Sequence, residues 1–291
     1  MKCQSDVTVV IPTTGRDALK VALDSVRRQD QANVTTIVVL DDPGAEVPVR
    51  AMLEGETLIV TAGRTGAASA RNVGLEHAQS RYVAFLDDDD WWEPTKLRDQ
   101  LDTVRDVPSA VSFSSTYFHE EHGNVRLLPR RTRRPNESIA DYLVLRPRLK
   151  HGEGYIQTSS LLAETDLLKR IKWDPALPKH QDWDLIARLD ASGAEFVFVD
   201  KPLVHVQQGS AGSISRSSDW RASLDWADRH GANLSPRAKA DFVATHVLRA
   251  AAAKRDGAGI AAAFRRMWRT PPHAAAFIVG IHGLVEGRSR R

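Results

Sequence analysis

Tyr82-Val83-Ala84-Phe85-Leu86-Asp87-Asp88-Asp89-Asp90-Trp91-Trp92-Glu93-Pro94 is the stretch on which the reading of this chain turns. Five residues of a buried type of strand end in four carboxylates, and apolar residues resume behind them. Four adjacent anions repel one another unless a positive group binds them or water screens them. A hard divalent cation, Mg²⁺ or Mn²⁺, takes oxygen ligands and carries phosphate, so it is the expected partner. The carboxyl end of a strand in an α/β sheet is also where ligands collect. The bland alternative, an acidic solvated loop, is disfavoured by the buried-type residues on both flanks.

Working outward, strand and helix signals alternate. Val7–Ile11 is an apolar run typical of a buried parallel strand, broken by Pro12-Thr13-Thr14-Gly15-Arg16. Leu19, Leu23 and Val26 then recur at helical spacing. Thr35–Leu40 is a second strand, stopped by Asp41-Asp42-Pro43-Gly44, and Leu58–Val60 is a short third. Gly63 and Gly66 open onto a helix reaching about His77, and Tyr82–Leu86 is the fourth strand. Proline introduces a helix over Pro94–Val104, and Val111–Phe118 reads as a fifth strand. This rhythm predicts a doubly wound α/β sheet with right-handed crossovers.

In such a sheet the loops Pro12–Arg16, Asp41–Gly44 and Asp87–Asp90 meet above the strand ends. Their convergence predicts a nucleotide site. Asp41 or Asp42 would accept hydrogen bonds from a base, and Asp87 and Asp89 would serve a metal and its diphosphate. The first strand-to-helix turn has one glycine, Gly15, which argues against a GxGxxG dinucleotide site, and no GxxxxGK[ST] phosphate loop occurs.

Composition is that of a soluble globular protein: 291 residues, 42% hydrophobic and 26% charged. The single cysteine, Cys3, allows no intrachain disulfide. No apolar run reaches the roughly 20 residues of a membrane span, and Met1–Asp6 carries no signal-type apolar segment. A cytoplasmic protein is expected, with the inner face of the membrane as a further station. Net charge is +3, but Asp219–Arg291 holds 13 Lys/Arg against 6 Asp/Glu, leaving −4 for the rest. An acidic body and a basic tail suggest two tasks.

Five ordered segments carry a specific resemblance. Val7-Thr8-Val9-Val10-Ile11-Pro12-Thr13, Val38-Val39-Leu40-Asp41-Asp42, Ala70-Arg71-Asn72-Val73-Gly74, Phe85–Trp91 and His180-Gln181-Asp182-Trp183-Asp184-Leu185 together resemble the signatures of family 2 glycosyltransferases. The resemblance covers about residues 6–215. It implies a GT-A fold, Rossmann-like with a doubly wound mixed sheet, and a metal-assisted, inverting transfer from a nucleoside-diphosphate sugar. It further implies UDP as the usual nucleotide and a glycan or lipid-linked acceptor in bacterial polysaccharide synthesis. The expected organisation is a catalytic domain over 1–218, with a donor half at 1–118 and an acceptor half at 119–218. A basic helical extension over 219–291 follows.

Residue by residue, the resemblance implies that Pro12, Thr13, Arg16, Asp41 and Asp42 bind the nucleotide, with Arg71 near the donor. Asp87 and Asp89 match the DxD pair. The resemblance implies that Asp89 coordinates the metal and that Asp87 or Asp88 faces the ribose or sugar. Asp182 matches the general base, which takes a proton from a poorly nucleophilic hydroxyl. Gln181 stands where many relatives have Glu, and with Trp183 it is an acceptor-binding candidate.

Each reading has a plainer rival. An aspartate in a first helical turn often only complements the dipole, and Asp184 fits that better than Asp182. Asn72 and Gly74 read as packing and turn features, and one of Trp91 and Trp92 as core. His205 is a further metal candidate, though a lone strand-end histidine is usually structural. Gly209–Ser215 reads as a closing loop or a linker. The basic run Arg126, Arg130, Arg131, Arg133, Arg134 is a solvated face or a contact for an anionic lipid surface or lipid-linked acceptor; without interleaved aromatics it is a poor nucleic-acid site. The tail helices would pack on the catalytic domain, join a second subunit or lie at a membrane interface. The rival functions are a non-catalytic nucleotide-sugar binder, a sugar-phosphate nucleotidyltransferase, and a haloacid-dehalogenase-type phosphotransferase with an aspartate nucleophile.

Overall fold

The computed structural model describes residues 6–30, 33–121, 123–150, 152–208, 219–230 and 233–289. The segment Gly209–Ser215 therefore lies outside the described residues, apart from any reading of it as a loop. The chain forms two compact units: Met1–Leu128 with Ile156–Pro175 and Ser192–Ala211, and Pro129–Tyr155 with Ala176–Ala191 and Gly212–Arg291.

The first unit is built on one nine-stranded mixed sheet. Its strands are β1 Val7–Thr13, β2 Val34–Leu40, β3 Thr57–Val60, β4 Tyr82–Phe85, β5 Trp91–Trp92, β6 Ala110–His119, β7 Val125–Leu128, β8 Leu162–Glu164 and β9 Glu195–Gln207. The order is β3-β2-β1-β4-β8-β6-β9-β5, with β7 on β6. Strands β3, β2, β1 and β4 are parallel neighbours, β8 runs antiparallel between β4 and β6, and β9 returns parallel to β6. Every residue of β1 is buried, as the unbroken apolar run requires of a central parallel strand. The predicted strands are all present. The two- and three-residue antiparallel strands β5 and β8 are not legible in the sequence, since so short a run has no period.

Helices α1 Leu19–Arg27, α2 Glu46–Met52, α3 Ala67–His77 and α4 Lys96–Val104 cover the sheet. α1 buries Leu19, Ala22, Leu23 and Val26; α4 buries Leu97, Leu101 and Val104. Burial of each such leucine stabilises the fold by roughly 2 kcal/mol. α3 lies unusually close to the sheet because of Gly74. A Cβ there would collide with Val10 and sit 3.2 Å from Val39 Cγ2. Asn72 on the same helix donates to Trp173 O and accepts from Trp173 N, both at 2.9 Å. Both residues thus have the packing roles read from the sequence, and together they fix where Arg71 stands.

The second unit is helical. It contains α5 Ile139–Val144, α7 Gln181–Ala191, α8 Trp220–Arg229, α9 Pro236–Phe242, α10 Arg249–Lys254, α11 Gly257–Met267 and α12 Ala274–Ser289, whereas α6 Thr165–Ile171 belongs with the sheet. A π-helical turn, Val243–Leu248, joins α9 to α10. Ser235 caps α9 ahead of Pro236, and Asp256 caps α11. Two buried acids pin this unit. Asp184 accepts from His230 Nε2 at 2.7 Å and from Arg188 Nε at 2.8 Å. Asp241 accepts from His273 Nδ1 at 2.7 Å and from the Arg146 amide at 2.8 Å.

The basic run is partly neutralised by local pairing. Glu120 holds Arg126 at 2.5 Å, and Glu137 takes both ends of the Arg131 guanidinium at 2.6 Å. Glu137 also accepts from the Arg134 amide, and its carbonyl from Arg133.

Candidate active site

In the sheet unit, the four carboxylates at the end of β4 divide by one-residue alternation. Asp87 and Asp89 are 24% and 16% exposed, while Asp88 and Asp90 are 2% exposed. The division follows from a turn in which the Asp90 amide donates to Asp87 O at 3.1 Å. Asp90 points inward, accepting from Ser159 Oγ at 2.7 Å, from Gln157 Nε2 at 3.0 Å and from the Gln207 amide at 3.0 Å. Burial, then the charges of Asp87 and Asp89, push its carboxyl well above the usual range.

Asp88 is a brace. It accepts from Thr13 Oγ1 at 2.6 Å and from Arg16 through Nε at 3.2 Å and a second, closer contact. Burial raises its pKa against the pull of Arg16 and Thr13. Arg16 also reaches Asp89 Oδ2 at 3.2 Å. Pro12 is buried within β1, in register with Val39 of β2 and one residue before Thr13. Arg71 pairs with Asp87, and its guanidinium lies 4.6 Å over the Trp173 ring. Its Nε is buried without a hydrogen-bond partner among the described residues.

Of the two acids expected to meet a base, Asp41 is buried and Asp42 is exposed. Asp41 is buried and fully used: it accepts from Thr61 Oγ1 at 2.5 Å, Thr65 Oγ1 at 2.6 Å, the Thr65 amide at 3.0 Å and the Gly66 amide at 2.8 Å. Burial works against its charge, but these bonds outweigh it and hold the carboxyl below its ordinary range. Asp41 therefore shapes the loop over 61–66 and is not free to read a base. Asp42 is exposed and accepts from the Gly44 amide at 3.0 Å. Between these loops lies a cleft of about 420 Å³ lined by Thr14, Asp41, Asp42, Pro43, Ala62, Gly63 and Arg64. That volume suits a small ligand. Thr14, Gly63 and Arg64 were missed by the sequence reading. The signal available was the Gly63-Arg64-Thr65-Gly66 turn, in which Gly63 and Arg64 both take positive φ.

Among the described residues no group of three or more His, Cys, Asp or Glu side chains is arranged to hold a metal. Asp87 and Asp89, partly exposed and each paired with an arginine, are oxygen donors of the kind an Mg²⁺-type ion takes, since it binds one or two carboxylates and completes its shell with phosphate and water. His205 does not fit that role. In β9 it stacks 4.7 Å from its cross-strand neighbour Trp91 and 4.6 Å from Tyr117. Its Nε2 donates to Glu93 Oε1 at 2.9 Å, and its Nδ1 shares a 2.9 Å hydrogen bond with His119 Nε2. With both nitrogens engaged, His205 is structural in this geometry. Trp92 is the core tryptophan; it donates to Ser159 O at 2.8 Å, and the fully buried Lys96 ammonium sits 3.7 Å from its ring centroid.

In the helical unit, Asp182 lies half-exposed in the first turn of α7, its Oδ1 accepting from the Trp183 amide at 2.9 Å. Gln181 donates to Leu177 O at 2.8 Å. Trp183 stacks on His180 at 5.3 Å and meets Trp226 edge-on at 6.0 Å, so much of the ring is used in a buried aromatic cluster. His180 has a φ of 60° and bonds Ser223 Oγ at 2.9 Å. Burial drives its pKa down to about 3. Asp184, in the first turn of α7 as expected of a dipole residue, is in addition the buried partner of His230 and Arg188, which hold its carboxylate low despite desolvation.

Known proteins share this architecture. Residues 8–163 match the family described as Glycosyl transferase family 2. The amylovoran biosynthesis glycosyltransferase AmsB of Erwinia amylovora is 27% identical over 244 residues, 79% of each chain. An uncharacterized glycosyltransferase of Methanocaldococcus jannaschii is 26% identical over 209 residues, 68% of this chain and 69% of its own. Among solved structures, S. aureus TarS 1-349 in complex with UDP-GlcNAc superposes with a TM-score of 0.67 at 15% identity, covering 98% of this chain and 88% of that one. Mannosyltransferase PcManGT from Pyrobaculum calidifontis, in complex with GDP-Man and Mn²⁺, gives 0.55 at 17% identity, covering 100% and 77%. The chain belongs to glycosyltransferase family 2 and is a glycosyltransferase with a GT-A type mixed α/β fold.

Proposed function

We propose that the protein moves a sugar from a nucleoside diphosphate, UDP first among them, to a hydroxyl of a glycan or lipid-linked acceptor, with inversion. The observation that carries this reading is the alternation at the end of β4. Asp88 and Asp90 are built into the fold, and Asp87 and Asp89 are left partly open beside two arginines. Asp42, Thr14 and Arg64 would receive the nucleoside in the cleft they line. Arg16 and Arg71 would turn toward the diphosphate. Asp87 and Asp89 would hold Mg²⁺ or Mn²⁺, which when bound would offset the charge growing on the departing diphosphate.

Asp182 would take the proton of the acceptor hydroxyl as it attacks the face opposite the leaving group, typically contributing about 10²–10⁴-fold. Gln181 and Trp183 would border the acceptor. Donor handling is assigned to 1–118, acceptor handling to 119–218, and the remainder to a helical extension. Relatives named as UDP-Glc:alpha-D-GlcNAc-diphosphoundecaprenol beta-1,3-glucosyltransferases, 41% identical over 56 residues and 30% over 111, support a UDP-sugar and a lipid-diphosphate acceptor. An acceptor of that kind would place the enzyme in the cytoplasm, at the inner face of the membrane.

The test offers UDP-, GDP- and dTDP-sugars with a lipid-diphosphate-linked sugar and follows nucleoside-diphosphate release and product. The expected result is transfer from one nucleotide class, abolished by chelation and by Asp182→Asn, with donor binding retained in that variant. Donor binding without transfer to any acceptor, unchanged by Asp182→Asn, would favour a non-catalytic binder.

A further inference from the structure

Helix α12 has its polarity inverted. The side packed in the helical unit is made of small residues: Ala276, Gly280 and Gly283 are buried, and a Cβ on Gly280 would come within 2.7 Å of Ala244 O. The large apolar residues face solvent instead. Ile278, Ile281 and Val285, spaced three and four apart on one stripe, are 47%, 41% and 55% exposed. An ordinary surface helix does the reverse. Ala274–Val285 contains no charged residue.

Helix α11 extends this face. The rings of Phe264 and Phe277 meet edge-on at 6.2 Å, joining the two helices, and Trp268 is 87% exposed. Arg265 and Arg269 are exposed on either side of Trp268, whereas Arg266 is held by Asp228 at 2.5 Å. From Gly257 to Ser289 the chain has four arginines and one acid, Glu286. An apolar patch of this kind on a monomer marks an interaction surface. No helix among the described residues is long and apolar enough to cross a membrane.

We propose that the outer face of α11 and α12 docks on an anionic phospholipid bilayer. Trp268, Phe264 and the Ile278–Val285 stripe enter the headgroup boundary, and Arg265 and Arg269 meet lipid phosphates. An exposed tryptophan between arginines matches that boundary, where one side is apolar and the other is charged and wet. A second copy of the chain fits less well. A twofold contact repeats the same patch on both sides, so it would bring the exposed Arg265 and Arg269 against their own likeness. This docking is independent of sugar transfer, and its test reads membrane binding alone.

The full chain is floated with vesicles of phosphatidylcholine, with and without phosphatidylglycerol. The expected result is binding to the anionic vesicles, weakened by salt, and lost with Trp268→Ser combined with Ile281→Ser. Arg265→Gln and Arg269→Gln should each lower the partition coefficient about fivefold. Unchanged circular dichroism is the control, and Trp268→Ser alone, at the most exposed position, gives the same readout if the double variant misfolds. Failure of the native chain to float, or binding indifferent to all these variants, overturns the proposal. So does a dimer in sedimentation velocity that Ile281→Ser dissolves, which would assign the face to a second copy.

Discussion

Thr13 Oγ1 donates to Asp88 Oδ2 at 2.6 Å, joining the first strand end to a residue 75 positions later. The same carboxylate takes two contacts from Arg16, and the Gly15 amide donates back to Thr13 Oγ1 at 2.9 Å. The loop after β1 and the loop after β4 are thus one braced structure, and Asp88 is the member spent in bracing it. That leaves Asp87 and Asp89 as the pair open to a ligand.

Asp90→Ala separates support from function. It strands the donors of Ser159, Gln157 and Gln207, and one or more orphaned buried groups should cost about 3 kcal/mol. Asp89→Asn, at a partly exposed carboxylate held by one arginine contact, should leave stability within about 0.5 kcal/mol. Urea denaturation of the two variants checks the contrast; equal losses would mean that the alternation is not what sorts these residues.

Gly74→Val should destabilise the sheet unit by about 1–3 kcal/mol, since its side chain must displace Val10 or Val39. Adding Val10→Ala should recover part of that loss. A double-mutant cycle with no coupling would show that α3 does not depend on this contact.

Lys96 is fully buried and lies over the Trp92 ring, and its Nζ has no hydrogen-bond partner among the described residues. Burial holds its pKa well below the ordinary lysine value. Folding then requires the ammonium to lose its proton or its hydration, so Lys96→Met, similar in volume and needing neither, should raise the thermal midpoint. A lowered midpoint would show that the amine makes a favourable contact that this geometry does not account for.

His180 predicts how the helical unit responds to acid. Its pKa is about 3 in the fold and about 6.5 unfolded, so between these values the unfolded state binds the extra proton. Stability should therefore fall as pH drops, by about 2 kcal/mol between pH 6.5 and 5 if this group acts alone. His180→Gln, which cannot titrate, should flatten that slope. An unchanged slope would put the acid sensitivity elsewhere.

Much of the sheet was legible because buried parallel strands are continuous apolar runs and their ends are marked by Pro12, Asp41 and Asp87. The site was legible as three loops but not as side-chain roles. Asp41 and Asp42 are adjacent acids, and only the Thr61 and Thr65 hydroxyls, some 20 residues downstream, decide which is consumed. The Gln157–Ser159 support of Asp87 and Asp90 comes from about 70 residues away, beyond any local pattern. Asp184 looked like a dipole residue because its partner His230 is 46 positions distant. The structural reading of His205 could not be given partners in advance, because Trp91 and Tyr117, on which it stacks, lie on other strands.

In the proposed function, Asp87 and Asp89 present a metal-bound diphosphate to the cleft lined by Thr14, Asp42 and Arg64. Calorimetric titration of UDP into the native chain and into Asp89→Asn, each with and without Mn²⁺, tests it most directly. The account predicts Mn²⁺-dependent binding to the native chain, weakened by more than about tenfold in the variant, since even indirect supports of a metal site are worth that much. Equal UDP affinity in all four titrations would contradict it.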